Sequence, residues 1–149
     1  MEVTRSKEWI FIPQGKYTLV LLKETCMTGC KPVDTPIEFH AKLGDSVDKF
    51  PVNKERYQHL VGKLIYLSHT RLDIFYAISV VGQFMQAPYE EHMKAMNRIL
   101  RYLKSSLGKG LMFRKIDKKC MEAYTDSNWA RSVINGKSTS RYCTFMWVT

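Results

Sequence analysis

At 149 residues the chain is about one domain long. Its 45% hydrophobic and 12% aromatic content excludes wholesale disorder, and its longest nearly uncharged run, Ile74 to Tyr89, is too short and too interrupted to span a bilayer. The formal charge is +9, of which +8 lies in the 26 residues from Lys94 to Lys119, where nine basic side chains face only Asp117; such a concentration points to a polyanionic partner or to a solvated basic face.

Met1 to Lys7 has no apolar stretch behind its charges, so no signal peptide is read there. An intracellular chain, cytoplasmic or nuclear and without a membrane contact, is the expectation. Trp9-Ile10-Phe11-Ile12, ended by Pro13, reads as a buried strand. Lys16 to Thr25 reads as a helix with Tyr17, Val20, Leu21 and Glu24 on one face, stopped by Gly29 and Pro32. Between Lys31 and Lys54, Pro32, Pro36 and Pro51, mixed charge and the lack of a period predict an extended connection over a surface.

The middle of the chain is helical by period. In Glu55 to His69, Tyr57, Leu60, Val61, Leu64 and Ile65 follow one helical stripe. Asp73 is a candidate N-cap for Ile74 to Gln86, whose nearly all-round apolar character predicts the most buried helix. A third helix, Pro88 to about Ser105, puts Met93, Met96, Leu100 and Leu103 on its apolar stripe with Ile99 on the flank. Lys94, Arg98 and Arg101 cluster within about 60° of each other, roughly opposite that stripe, and Lys104 sits in the last turn. The basic charge is therefore expected along one exposed face.

After Gly108 and Gly110 strands follow: Leu111 to Phe113, Glu122 to Asp126, and Ser138 to Val148, the last two around the hairpin signal Asn135-Gly136. The chain ends inside an apolar strand, so the β-part is expected to be incomplete. Chemistry-bearing patterns are sparse. Cys26, Cys30, Cys120 and Cys143 match no zinc spacing and read as reduced thiols. His40, His59, His69 and His92 are scattered. Asp126, at the end of a strand, is either a Mg²⁺ ligand or a structural turn residue; two-metal phosphodiester chemistry needs several acidic ligands, and no Asp or Glu follows it.

Val61-Gly62-Lys63-Leu64-Ile65-Tyr66-Leu67-Ser68-His69-Thr70-Arg71 with Asp73-Ile74, and Arg98-Ile99-Leu100-Arg101-Tyr102-Leu103-Lys104, resemble the polyprotein of plant copia-type retrotransposons. So do Tyr124-Thr125-Asp126 with Trp129-Ala130, Ser138-Thr139-Ser140 with Tyr142, and Lys31-Pro32-Val33-Asp34-Thr35-Pro36. The resemblance runs through essentially the whole chain in order. It implies the end of a reverse transcriptase palm (1–30), an extended connection (31–54), thumb-like helices (55–110) and the start of a ribonuclease H domain (111–149). The implied fold is α+β: a helical thumb-like bundle with a short N-terminal strand and an incomplete C-terminal ribonuclease-H-like β-hairpin.

By the same resemblance, Asp126 matches the first carboxylate of the nuclease site, which uses Mg²⁺ in the family. The other nuclease carboxylates lie past Thr149, and the Tyr-x-Asp-Asp palm motif is absent. Lys94, Arg98, Arg101 and Lys104 fall in the region that lies against an RNA–DNA hybrid or duplex. Leu72 stands where the family usually has Pro, Asn128 where it has a second Asp, and Arg131 and Arg141 where it has Gly. The expectation is an inactive reverse transcriptase/ribonuclease H fragment. The alternatives are a basic nucleic-acid-binding adaptor without catalysis, and a spuriously predicted gene.

Overall fold

A computed structural model describes residues 4, 5, 7, 9–38, 43, 44, 50–114, 121–128 and 139–146, with side-chain surroundings as far as Gly110. Near the N-terminus β1 (Thr4–Arg5) pairs antiparallel with β2 (Trp9–Pro13), Thr4 opposite Phe11 and Arg5 opposite Ile10. The run Trp9–Ile12 is a strand, but not a buried one. Trp9 is 40% exposed and Ile10 to Ile12 are half-buried, because an apolar run reports a strand without reporting what covers its two faces.

Gly15 opens α1 (Gly15–Glu24), which buries Thr18, Leu21 and Leu22. Val20, expected inside, is 52% exposed: the buried positions are i, i+3 and i+4 counted from Thr18, whose hydroxyl satisfies itself on the Gln14 carbonyl at 2.9 Å. α2 (Lys54–Ser68) is capped by Asn53, whose side-chain oxygen accepts from the Arg56 amide at 2.7 Å. Its core face is Tyr57, Leu60, Val61, Leu64 and Leu67, all buried, while Ile65 is half out at 42%.

Asp73 does not cap a helix. It lies in a 3₁₀ turn, Leu72–Ile74, that runs directly into α3 (Phe75–Gly82), and its carboxylate is drawn away by Arg71 and Tyr102. α3 also stops four residues short of the expected Gln86. The Val81 carbonyl accepts the buried Tyr57 hydroxyl at 2.7 Å and the Met85 carbonyl accepts the Gln58 amide at 3.0 Å. Beyond Gly82 the backbone tightens into i−3 turns, as at Gln83 to Val80 and Phe84 to Val81. Nor is α3 buried all round: Ala77, Ile78 and Val81 are inside, whereas Tyr76 is 48% exposed.

α4 (Glu90–Ser105) begins two residues after Pro88, with Tyr89 as N-cap. The Tyr89 amide donates to Nδ1 of His92 at 2.9 Å, and the His92 ring stacks on Phe84 at 3.8 Å. Met96, Leu100 and Leu103 are buried as the stripe requires; Ile99 and Tyr102 join them at 1% and 6% exposure. One apolar cluster thus unites Leu21 and Leu22 of α1 with the inner faces of α2, α3 and α4.

β3 (Gly110–Arg114) hydrogen-bonds to β2, giving a sheet of order β1-β2-β3. A side chain at Gly110 would overlap the Ile12 carbonyl oxygen and press on the Phe11 ring, so glycine is what permits this approach. The chain divides into two compact units, Met1–Phe113 and Arg114–Thr149. In the second, β4 (Met121–Asn128) and β5 (Thr139–Met146) pair antiparallel from Met121 opposite Met146 to Asn128 opposite Thr139. The Asn135-Gly136 signal lies outside the described residues. The architecture is α+β, and among the described residues no helix is long and apolar enough to cross a membrane.

Candidate nucleic-acid interface

Residues 98, 101 and 104 recur every three positions on α4, so one edge of the helix carries Arg98, Arg101 and Lys104, with Lys94 one turn before. Lys94 is open to solvent: its side chain is 72% exposed, and it pairs with Glu90 one turn back at 3.2 Å. The other three are not the bare face that the period suggested. Residues 30–38 lie along this edge and accept from it. Arg98 donates through Nη1 to Glu38 Oε1 at 3.0 Å and through Nη2 to Thr35 Oγ1 at 2.9 Å. Arg101 Nε donates to the Lys31 carbonyl at 2.7 Å, Lys104 Nζ to the Cys30 carbonyl at 2.7 Å, and Ser105 Oγ to the Val33 carbonyl at 2.8 Å.

A periodic pattern fixes the face of a helix on which a charge sits; it is silent on what crosses that face from 60 or more residues away. The prolines Pro32 and Pro36 were the available signal, since they hold this connection extended. Val33 and Ile37 anchor it on the apolar cluster. Beside it a groove of about 290 Å³ is lined by Ile37, Glu38, Glu91, Lys94, Arg98 and Arg101. Arg98 Nε is buried in this region with no hydrogen-bond partner among the described residues.

A second polar cluster was not anticipated. Arg71 is 2% exposed. It donates to both Asp73 oxygens at 2.9 and 2.8 Å, and to the Ser106 carbonyl and hydroxyl at 3.0 and 2.7 Å. The Tyr102 hydroxyl donates to Asp73 at 2.7 Å, and Lys109 Nζ donates to that hydroxyl at 2.9 Å. Burial pushes the Asp73 carboxyl up, but the hydrogen bonds from Arg71 and Tyr102, with the Arg71 charge, outweigh it and leave the pKa below its ordinary 3.8. The cluster ties the end of α2 to the end of α4. The hint lay in Arg71-Leu72-Asp73, a charge pair two residues apart at a helix junction.

Asp126 lies on β4 in register with Arg141 on β5. The nearest acidic residue on its strand, Glu122, is four positions back, so their Cα atoms are about 13 Å apart at ~3.3 Å per residue. Two catalytic ions sit only about 3.5–4 Å apart, so this donor set does not fit a two-metal site. Lys115, Lys118 and Lys119 of the basic segment lie outside the described residues.

Over 146 residues, 98% of its length, the chain is 36% identical to the retrovirus-related Pol polyprotein from transposon RE1 of Arabidopsis thaliana. It is 34% identical over 145 residues to the corresponding polyprotein from transposon TNT 1-94 of Nicotiana tabacum. The chain is homologous to a segment of retrotransposon Pol polyproteins. This Pol-like segment spans about a tenth of those two curated relatives, 10% and 11% of their lengths. It also spans 57% of an uncharacterized mitochondrial protein of Arabidopsis thaliana, at 35% identity over 92% of the chain. No family model and no solved structure matches it.

Proposed function

We propose that the chain is the part of a retrotransposon reverse transcriptase/ribonuclease H polyprotein that runs from the end of the palm into the start of ribonuclease H, and that by itself it holds duplex nucleic acid without catalysing either reaction. The observation that carries this reading is the match to Pol polyproteins across nearly the whole chain. The +8 charge of residues 94–119 supports the binding part of it. Binding of this kind is made through phosphates and is indifferent to base sequence.

Glu122 and Asp126 are too far apart to share ions, no acidic residue follows Asp126, and no group of three or more His, Cys, Asp or Glu that could hold a metal occurs among the described residues. Primer extension and RNA–DNA hybrid cleavage by the isolated chain are expected at background. Mg²⁺-dependent cleavage that is lost in Asp126→Asn would overturn this.

Binding is tested by titrating the chain with a hybrid and a DNA duplex at several salt concentrations. Neutralising about three to six phosphates makes affinity fall roughly as the third to fifth power of salt. Lys94→Gln should lower that slope by about one with an unchanged melting curve, because Lys94 holds none of the 30–38 segment. Equal slopes would identify the Lys94 edge as merely solvated.

A further inference from the structure

We infer that residues 30–38 are a strap seated in the phosphate-binding edge of α4, and that duplex nucleic acid and the Glu38 end of the strap compete for Arg98. The inference rests on the nucleic-acid reading above. Every polar contact described between strap and helix edge runs one way. Arg98, Arg101, Lys104 and Ser105 donate, and the strap answers with three backbone carbonyls, the Thr35 hydroxyl and the Glu38 carboxylate. A row of acceptors ending in an anion is also what a phosphodiester strand presents to such an edge.

The strap is fixed unevenly. Its 30–33 half is held by carbonyls and by Val33 on the apolar cluster. Its far end packs Ile37 on the same cluster and meets Arg98 through Thr35 and through Glu38, whose side chain is 66% exposed, against Arg98 at 26%. An ion pair this exposed is weak and screened by salt. A polyanion arriving at the open Lys94, one turn away, meets Arg98 next. Arg98 also keeps a buried Nε–H without a partner among the described residues. Exchanging Glu38 for a phosphate oxygen therefore loses one carboxylate contact and leaves the rest of the strap in place.

The test uses two variants that change net charge equally. Glu38→Gln removes the competitor from Arg98; Asp34→Asn removes a charge from the same strap at an exposed position with no described contact to α4. Competition predicts that Glu38→Gln raises affinity for a hybrid about three- to tenfold at low salt and steepens the salt slope by about one. Asp34→Asn should raise it less than twofold. The decisive arm is Arg98→Gln. It should cost little in the wild-type chain, where Glu38 already neutralises Arg98, and about tenfold more in the Glu38→Gln background. Thr35→Val, which leaves the charge unchanged, should shift affinity in the same direction as Glu38→Gln and guards against a variant that fails to fold.

Equal gains from Glu38→Gln and Asp34→Asn, or additive effects of Glu38→Gln and Arg98→Gln, would overturn the strap while leaving nucleic-acid binding standing. Absence of hybrid binding in every variant would overturn both.

Discussion

Arg71 carries a full charge at 2% exposure, and it is tolerable only because four hydrogen bonds take up its donors. The two sides of the pair are not equivalent. Asp73 keeps 30% of its side chain in contact with solvent, whereas Arg71 keeps 1%. Asp73→Asn strands a buried guanidinium and is expected to cost about 2–4 kcal/mol, read from urea unfolding. Arg71→Met leaves Asp73 with water and Tyr102 and should cost less. A reversed order would show that the cluster is organised around the carboxylate. The sign of the pH dependence follows from the depressed Asp73 pKa. Its stabilisation is complete above its ordinary 3.8, declines as pH falls towards the folded value, and is gone below that. Acid unfolding of Asp73→Asn should lack this component. Nothing in the composition marks Arg71 as buried; a lone arginine after His69-Thr70 reads as exposed until the end of α4 is placed over it.

At the level of elements, helices were legible wherever three or more apolar residues kept one stripe, as Tyr57, Leu60, Val61 and Leu64 do in α2. Their ends were less so. At the end of α3, which stops at Gly82, the Tyr57 hydroxyl reaches the Val81 carbonyl from 24 residues away, a partner no local pattern records. Tyr57→Phe leaves that carbonyl with the Phe84 amide alone and is expected to cost about 0.5–1.5 kcal/mol. The buried phenol, whose pKa burial pushes well above the ordinary 10.0, should also be absent from a spectrophotometric tyrosine titration below pH 11 or so. β3 was legible as a strand through Leu111-Met112-Phe113, but its partner β2 was not, since pairing across about 100 residues leaves no trace in alternation. Gly110→Ala should open this edge, because the added methyl meets the rigid Ile12 carbonyl. Hydrogen exchange at Ile10 and Ile12 would accelerate, while the amides of α2 and α4 keep their protection.

For the molecule as a whole, the division at Phe113 separates a unit with a helical apolar core from one that contains a two-stranded pair. Two strands by themselves are marginal in water, whereas four helices around one core are not. Amides of β4 and β5 are accordingly expected to exchange faster than those of α2 and α4. A chain ended after Arg114 should keep the cooperative helical melting transition within a few degrees. Its loss would mean that the first unit depends on the second. The basic segment, residues 94–119, was visible in the charge count. That Arg98, Arg101 and Lys104 are already engaged by residues 30–38 was not, because those contacts span up to 74 residues and two of the three use carbonyls that every residue type possesses.

That last property shapes how the chain can drift. Three of the five anchors between the strap and α4 are main-chain oxygens of Cys30, Lys31 and Val33, and these survive any change of side chain that keeps the backbone extended. Polar substitutions at Cys30 and Lys31 should therefore be nearly silent in a saturation scan. Thr35 and Glu38 hold Arg98 with side-chain atoms alone, and mutational sensitivity at the strap should be concentrated there and at the apolar contacts of Val33 and Ile37.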